Sequence, residues 1–425
     1  MDERQDSREY QHLASLVLSG GDAEDWYRLG CLLADRKYWG SAAGCFARAV
    51  GGDGGNYRAL TNLGWALHQV GRSVEAMARL RAAISVKGDE GTPHALLSQV
   101  YGALGWPDSA IRAGRRGVEC GPGEAINHVA LSFALMSAGE WAEGWAEYEH
   151  RFAYKLPEFL SRPWPLWRGE RVGHLYLEAE QGLGDTIMAL RWVAQAAKFA
   201  DRVTLYIQRE VYALSADAAG LPGNVTAYPL PRVLPGDVEA WSPLMSLPVA
   251  LGLGGPGDEG QYLGPLFEQR HDRPSRCRVG IAWSGSQTHE QSHNRDCPLA
   301  YWLRLTEIPG IEVHSLQVGD SQMADMAAHG LILDRSPEIT NMLDTAKIIA
   351  GLDLVICVDT AVGHLAGAMG VPCWLLVNQR GRDFRWGYEG NTGWYSTHVI
   401  YRRSLDEDWA DVMARVDGDL RRMVG

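Results

Sequence analysis

The sequence predicts an all-helical repeat array followed by two doubly wound α/β domains, and three observations carry that expectation. The first is a 34-residue period in the first 150 positions: Gly71, Gly105 and Gly139 are equally spaced, as are Leu29, Leu63, Leu97 and Leu131. The second is a run rich in proline and tryptophan, 156-LPEFLSRPWPLWRGERVG-173, at which the hydrophobic period changes. The third is the alternation of short β-rich runs with helical segments from His174 onward, the pattern of a parallel sheet covered on both faces.

The repeat columns define the first region, residues 1–155. Small residues recur at Ala42, Ala76, Ala110 and Gly144, and a further column holds Phe46, Leu80, Gly114 and Tyr148. With Trp26-x2-Leu29-Gly30 at the start of the first unit, this spacing matches the tetratricopeptide pattern, in which each unit is a helical hairpin. The small residue lets the two helices cross closely, and the recurring glycine ends the first helix of each hairpin. Four units are expected at about 22–55, 56–89, 90–123 and 124–153, with an N-terminal helix before them. Arrays of this kind present concave surfaces to peptides or partner helices and carry no chemistry of their own. A generic helical bundle would not be expected to keep its columns in register over four units.

Prolines in the 156–173 linker end the repeat helices and stiffen the joint. The first α/β domain, 174–265, is expected to contain 174-HLYLEA-179, a helix from Asp185 to Phe199, 203-VTLYIQ-208, a helix near 209–218 and a strand near 225–228. Residues 250–265 are glycine-rich and aperiodic and read as an interdomain loop. The second domain, 266–425, starts with 277-CRVGIAW-283 and continues through 311-IEVHSLQ-317, 330-GLILD-334, 353-DLVICVD-359 and 372-PCWLLV-377. In such sheets ligands sit beyond the carboxyl ends of the strands, so the chemistry should lie just after strands.

Composition narrows the possible functions. A chain of 425 residues with 46% hydrophobic and 22% charged positions fits a soluble globular protein of two or three domains. Two acidic residues among the first three positions argue against a signal peptide, and no run of eighteen apolar residues suggests a membrane span. Seven scattered cysteines without a CxxC pair fit reduced thiols in a cytoplasm and give no structural zinc site. A net charge of −12 disfavours a protein that grips long nucleic acid, although a local basic groove is compatible with it.

Three strand ends hold candidate residues. Strand 353–359 runs directly into 359-DTAVGHLAGAMG-370, so Asp359, Thr360, Ala361, Val362, Gly363 and His364 open a helix. The unpaired N–H groups and positive dipole end of such a helix suit a diphosphate; Ala361 and Gly363 permit close approach, and the Thr360 hydroxyl and His364 ring can add hydrogen bonds. The bland alternative is an ordinary N-cap with a packed histidine. Strand 277–283 ends in 283-WSGSQTHEQSHNR-295, whose Ser284, Gly285 and Arg295 suit a nucleotide-sugar loop. His289 and His293, at i and i+4, admit a metal pair, but no HExxH arrangement or further ligand supports one. The turn 181-QGLGDTIMALRW-192 lacks the third glycine of a dinucleotide fingerprint, and 203–208 ends in Gln208 instead of an acid, so a nicotinamide cofactor is not expected. Gln181, Gly182 and Gly184 then form a turn on the acceptor side, where Asp185, at a helix N-terminus that favours the ionised form, is placed to accept a proton from an attacking hydroxyl. The alternative is that Asp185 only caps its helix. The aromatic run 384-FRWGYEGNTGWY-395 reads as packing for the C-terminal helices, with lining of the cleft as the other reading.

Taken together, 181–192, 283–299, 359–376 and 384–403 resemble the GT-B glycosyltransferase fold in the form related to the ADP-heptose heptosyltransferases, here fused to tetratricopeptide repeats. The resemblance spans nearly the whole chain, including 141-WAEGWAEYEHRF-152 and 164-WPLW-167 at the joint, and the domain order is similar to protein O-GlcNAc transferase and bacterial flagellin glycosyltransferases. It implies two Rossmann-like domains facing a cleft, with Asp185 as general base, 359–364 as diphosphate and donor-sugar site, and Ser284 and Gly285 at the start of the nucleotide loop. The implied reaction is an inverting, metal-independent transfer from a nucleotide-diphosphate sugar to a hydroxyl, without a cofactor, on a protein or peptide recruited by the repeats. Two departures leave the donor unassigned: 287-QTHEQSHNR-295 replaces a stretch rich in lysine or asparagine, and 359-DTA-361 replaces DTG. The competing expectations are an inactive scaffold that binds a partner, and a transferase acting on a nucleic-acid base or a lipid-linked saccharide.

Overall fold

The computed structural model describes residues 11, 13–15, 19–156, 162–217, 220–230, 235–257, 261–263, 276–285, 295–319, 331–379, 383–390 and 392–425. The chain divides into two compact units, 1–160 and 161–425. Among the described residues no helix is long and apolar enough to cross a membrane.

The first unit is a run of helical hairpins: α1 (Ala23–Asp35) with α2 (Trp39–Gly52), α3 (Tyr57–Gln69) with α4 (Ser73–Val86), α5 (Gly91–Ala103) with α6 (Pro107–Cys120), and α7 (Ala125–Ser137) with α8 (Trp141–Tyr148), followed by the short α9 (Arg151–Lys155). The sequence columns become contacts here. A Cβ on Gly30 would lie 2.6 Å from the Phe46 ring, and one on Gly64 would lie 2.7 Å from Leu80, so these glycines let paired helices cross at close range. Ala42, Ala76 and Ala110 are wholly buried at the same crossings. Gly71, Gly105 and Gly139 have φ of +83°, +80° and +87°, the left-handed conformation that ends a helix at little cost only for glycine. The first hairpin departs from this: Lys37 occupies the equivalent position with φ of +62°. The expected N-terminal helix falls largely outside the described residues.

The second unit contains two all-parallel sheets. In the first, β1 (Val172–Glu178), β2 (Ala200–Ile207), β3 (Val225–Pro229) and β4 (Ala240–Pro243) lie in the order β3-β2-β1-β4, with α10 (Leu183–Ala196) and α11 (Arg209–Asp217) as crossovers. The second holds β5 (Cys277–Ala282), β6 (Ile311–Ser315), β7 (Leu333–Asp334), β8 (Leu354–Val358), β9 (Cys373–Asn378) and β10 (His398–Arg403) in the order β10-β9-β8-β5-β6-β7. Helix α12 (Met342–Ile349) precedes β8, α13 (Ala361–Met369) joins β8 to β9, and α14 (Trp409–Val424) closes the chain. β8 is buried along its whole length, as a central parallel strand covered on both faces must be. The order of the second sheet reverses between β5 and β8, and that of the first between β1 and β4; these switch points are where crevices open beyond strand ends. Sequence reading did not foresee β4 or β10, and within the described part of the expected 330–334 strand, 331–334, Leu333 and Asp334 pair.

Candidate functional site

The turn after β1 is fixed by side chains on both of its flanks. Gly182 is the N-cap of α10, and Asp185, three residues on, accepts the Gly182 N–H at Oδ2 (3.1 Å). Gln208, at the end of β2, donates from Nε2 to the Gln181 carbonyl (2.6 Å) and accepts from the Thr186 hydroxyl (2.9 Å). The residue that spoke against a dinucleotide site therefore clamps the turn. Asp185 caps its helix with one oxygen and keeps the other for a contact across the unit.

The ends of β5 and β8 meet at the switch point of the second sheet. Thr360 is the N-cap of α13 and its hydroxyl accepts the Val362 N–H (3.3 Å). Beside it, the Gly285 N–H donates to Asp296 Oδ1 and the Ser284 N–H to Gln317 Oε1, each at 3.1 Å. A Cβ on Gly285 would lie 3.6 Å from Thr360 Cγ2, so the loop after β5 lies against the helix start. Asp359 is buried and pairs with Arg295, Nε to Oδ2 at 3.5 Å. Burial pushes its carboxyl above the ordinary range; the neighbouring Asp383 adds to this and the Arg295 guanidinium opposes it.

The two helix starts face each other. A Cβ on Gly184 would stand 2.7 Å from His364 Cδ2 and 3.5 Å from Ala361 Cα, so glycine is what allows α10 and α13 to approach. His364 is buried, shares a hydrogen bond from Nδ1 with the Tyr395 hydroxyl (3.0 Å) and packs on Trp386 with centroids 5.2 Å apart. Burial first, and then the Arg385 guanidinium, hold its pKa well below the usual imidazole value, so the ring is neutral at neutral pH. Arg385 bridges the halves: it donates from Nη2 to Asp185 Oδ1 and from Nη1 to Asp383 Oδ2 at 2.7 Å, and it is itself buried. Arg191 of α10 makes a second bridge, donating to the Trp394 carbonyl (3.3 Å) and lying 4.9 and 5.0 Å from the Tyr262 and Tyr395 rings.

The structure thus brings Asp185, Gly184, Asp359, Thr360, Ala361, His364, Ser284, Gly285 and Arg295 into one region, at the carboxyl ends of β1, β5 and β8. Two expected roles change. A Cβ on Gly363 would lie 2.9 Å from Leu375 and 3.2 Å from Cys357, so this glycine admits α13 to the sheet. His364 is directed into the contact between the two helices, as a neutral packed ring. His289 and His293, with the rest of 286–294, lie outside the described residues. Arg385, Asp383, Tyr395 and Arg191 were missed. The available signal for Arg385 was a lone cation inside the aromatic run 384–395, which supplies a site residue as well as packing.

Residues 338–375, from before α12 to β9, match the family model described as Glycosyltransferase family 9 (heptosyltransferase). Protein FlbA of Caulobacter vibrioides is 25% identical over 374 residues, 76% of this chain, and the chain spans 59% of the length of that relative. Among solved structures, E. coli heptosyltransferase WaaC with ADP aligns over 59% of this chain and 99% of its own at 12% identity and a TM-score of 0.41. MamA aligns over 38% of this chain and 98% of its own at 18% identity and a TM-score of 0.32. The chain joins a tetratricopeptide-type array to an α/β unit that is similar, over 338–375, to a heptosyltransferase family.

Proposed function

We propose that the protein is a glycosyltransferase that moves a sugar from a nucleotide-diphosphate sugar to an acceptor hydroxyl, with inversion and without a metal ion. The observation that carries this reading is the facing pair of helix starts, one bearing a carboxylate that is paired with Arg385 and the other a cap free of acidic side chains in its first turn. A helix N-terminus and two guanidinium groups suit a leaving diphosphate, and a carboxylate on the opposite wall suits a hydroxyl that must lose its proton. In the reaction, the acceptor oxygen bonds to the anomeric carbon as its proton passes to Asp185. The bond from that carbon to the diphosphate oxygen breaks, and the diphosphate leaves with the electron pair against the start of α13, Arg295 and Arg385. Arg385 holds Asp185 at rest and transfers to the diphosphate when donor enters, which frees the carboxylate for the acceptor. The match of 338–375 to a heptosyltransferase family supports a sugar transfer. The repeats recruit a protein or peptide acceptor in a cytoplasmic setting.

The test is calorimetric titration with ADP, UDP, GDP and CDP, followed by turnover of the sugar nucleotide whose base binds. One nucleotide should bind, and Asp185→Asn should retain that binding while losing at least about 100-fold in turnover, the usual contribution of a positioned base. Absence of binding at millimolar nucleotide would refute the reading. It would favour a partner-binding scaffold, to which the Arg385 contact that occupies Asp185 is also suited.

A further inference from the structure

The last hairpin of the repeat array gathers three metal-ligating side chains that the transfer reaction does not use. His128 lies in the first turn of α7, Glu147 in the last turn of α8, and His150 just beyond it. Their ligating atoms all fall within 4.8 Å of one another. The two imidazoles are stacked, with centroids 3.6 Å apart and planes inclined by 7°. His128 Nε2 lies 2.9 Å from the Pro122 carbonyl oxygen and donates to it, because a carbonyl can only accept. In the neutral ring this fixes the lone pair on Nδ1, which faces Glu147 Oε2 at 2.5 Å. Two acceptors at that distance need a proton or a cation between them. A ring nitrogen whose partner nitrogen donates to a backbone carbonyl is also the usual arrangement of a metal-bound histidine.

We propose that His128, Glu147 and His150 form a binding site for a zinc-class divalent cation that clasps the last hairpin of the array. Two imidazoles and a carboxylate suit such an ion, and the exposure of His150 leaves a route of entry and room for a water as fourth ligand. Ligands of one tetrahedral zinc lie about 3.3 Å apart, given metal distances of about 2 Å. An imidazole lone pair lies in its ring plane, and two parallel stacked rings share no metal position, so on loading the exposed His150 ring rotates out of the stack while Glu147 moves outward. His128, which is buried, stays in place.

The experiment uses the full chain, stripped with a chelator and titrated with Co²⁺ as a spectroscopic probe and Zn²⁺ by calorimetry. The expected result is one equivalent per chain, with a tetrahedral Co²⁺ absorption that lacks the thiolate charge-transfer band any of the seven cysteines would give. His150→Ala and Glu147→Gln, both away from the buried core of the hairpin, should each weaken Zn²⁺ by at least about ten-fold. Zn²⁺ should raise the melting temperature of the unaltered protein and not of these variants. Failure to bind either ion, or binding that both variants leave unchanged, would overturn the proposal and assign the His128–Glu147 contact to a proton. A thiolate band would overturn it in favour of a cysteine site.

Discussion

Replacing Arg385 by methionine keeps most of the side-chain volume and removes the charge that Asp185 and Asp383 share. The Asp383 contact, at 2.7 Å, has a Coulomb energy of about 6 kcal/mol at an effective dielectric constant of about 20. The cost of taking the guanidinium out of water offsets part of this. What remains when one partner of a buried pair is removed is about 3–5 kcal/mol, because the surviving carboxylates lose their counter-ion. Arg385 is 3% exposed, whereas Asp185 and Asp383 are 22% and 15% exposed and can recover some hydration, which places the expected loss near 3 kcal/mol. Urea unfolding followed by circular dichroism measures it, with the loss falling on the transition of the α/β unit and leaving that of the array unmoved. Adding Asp185→Asn to Arg385→Met should cost less than the sum of the single changes by about 1 kcal/mol or more. A loss below about 1 kcal/mol, or strict additivity in the cycle, would refute the Asp185–Arg385–Asp383 bridge.

Further outcomes follow from single positions. Gly184→Ala should destabilise the α/β unit by about 1–2 kcal/mol in the same assay, since the new Cβ meets a His364 ring held by Tyr395 and Trp386, and the gain in helix propensity offsets only part of the overpacking. Lys37→Gly should stabilise the array by about 0.5–1 kcal/mol by relieving a left-handed backbone at the one hairpin end where lysine stands in place of glycine; a lowered urea midpoint would count against this. Burial holds both His364 and His314 below the ordinary imidazole value of 6.5, so the unfolded chain binds protons first on acidification. Their contribution to stability is complete above about pH 6.5 and is lost as pH falls below it. Urea midpoints of the α/β unit should therefore drop between pH 8 and pH 5.5, and His314→Gln should lessen the drop; a midpoint that rises on acidification would contradict the assignment.

Much of this protein was written locally. A hairpin array needs a small residue at each crossing and a left-handed residue at the end of each hairpin's first helix, and both demands recur every 34 positions, at Ala42, Ala76 and Ala110 and at Gly71, Gly105 and Gly139, so a period count finds them. The helix starts at Asp185 and Thr360 were legible for the same reason: a strand that stops and a helix that begins leave a short, typed signature. The partners of these residues were settled by tertiary structure alone. Arg385 lies 200 positions from Asp185, and nothing local to either marks the pair; it exists because α10 and α13 begin at switch points of two sheets and approach where Gly184 leaves room. Likewise His364 looked like a ligand for phosphate, and packing made it a neutral ring between Tyr395 and Trp386, because the side that a helical residue presents depends on what the helix is laid against. Sequence supplies the chemical groups and the local geometry that holds each one, while charge pairing and burial are properties of the surfaces that the fold brings together.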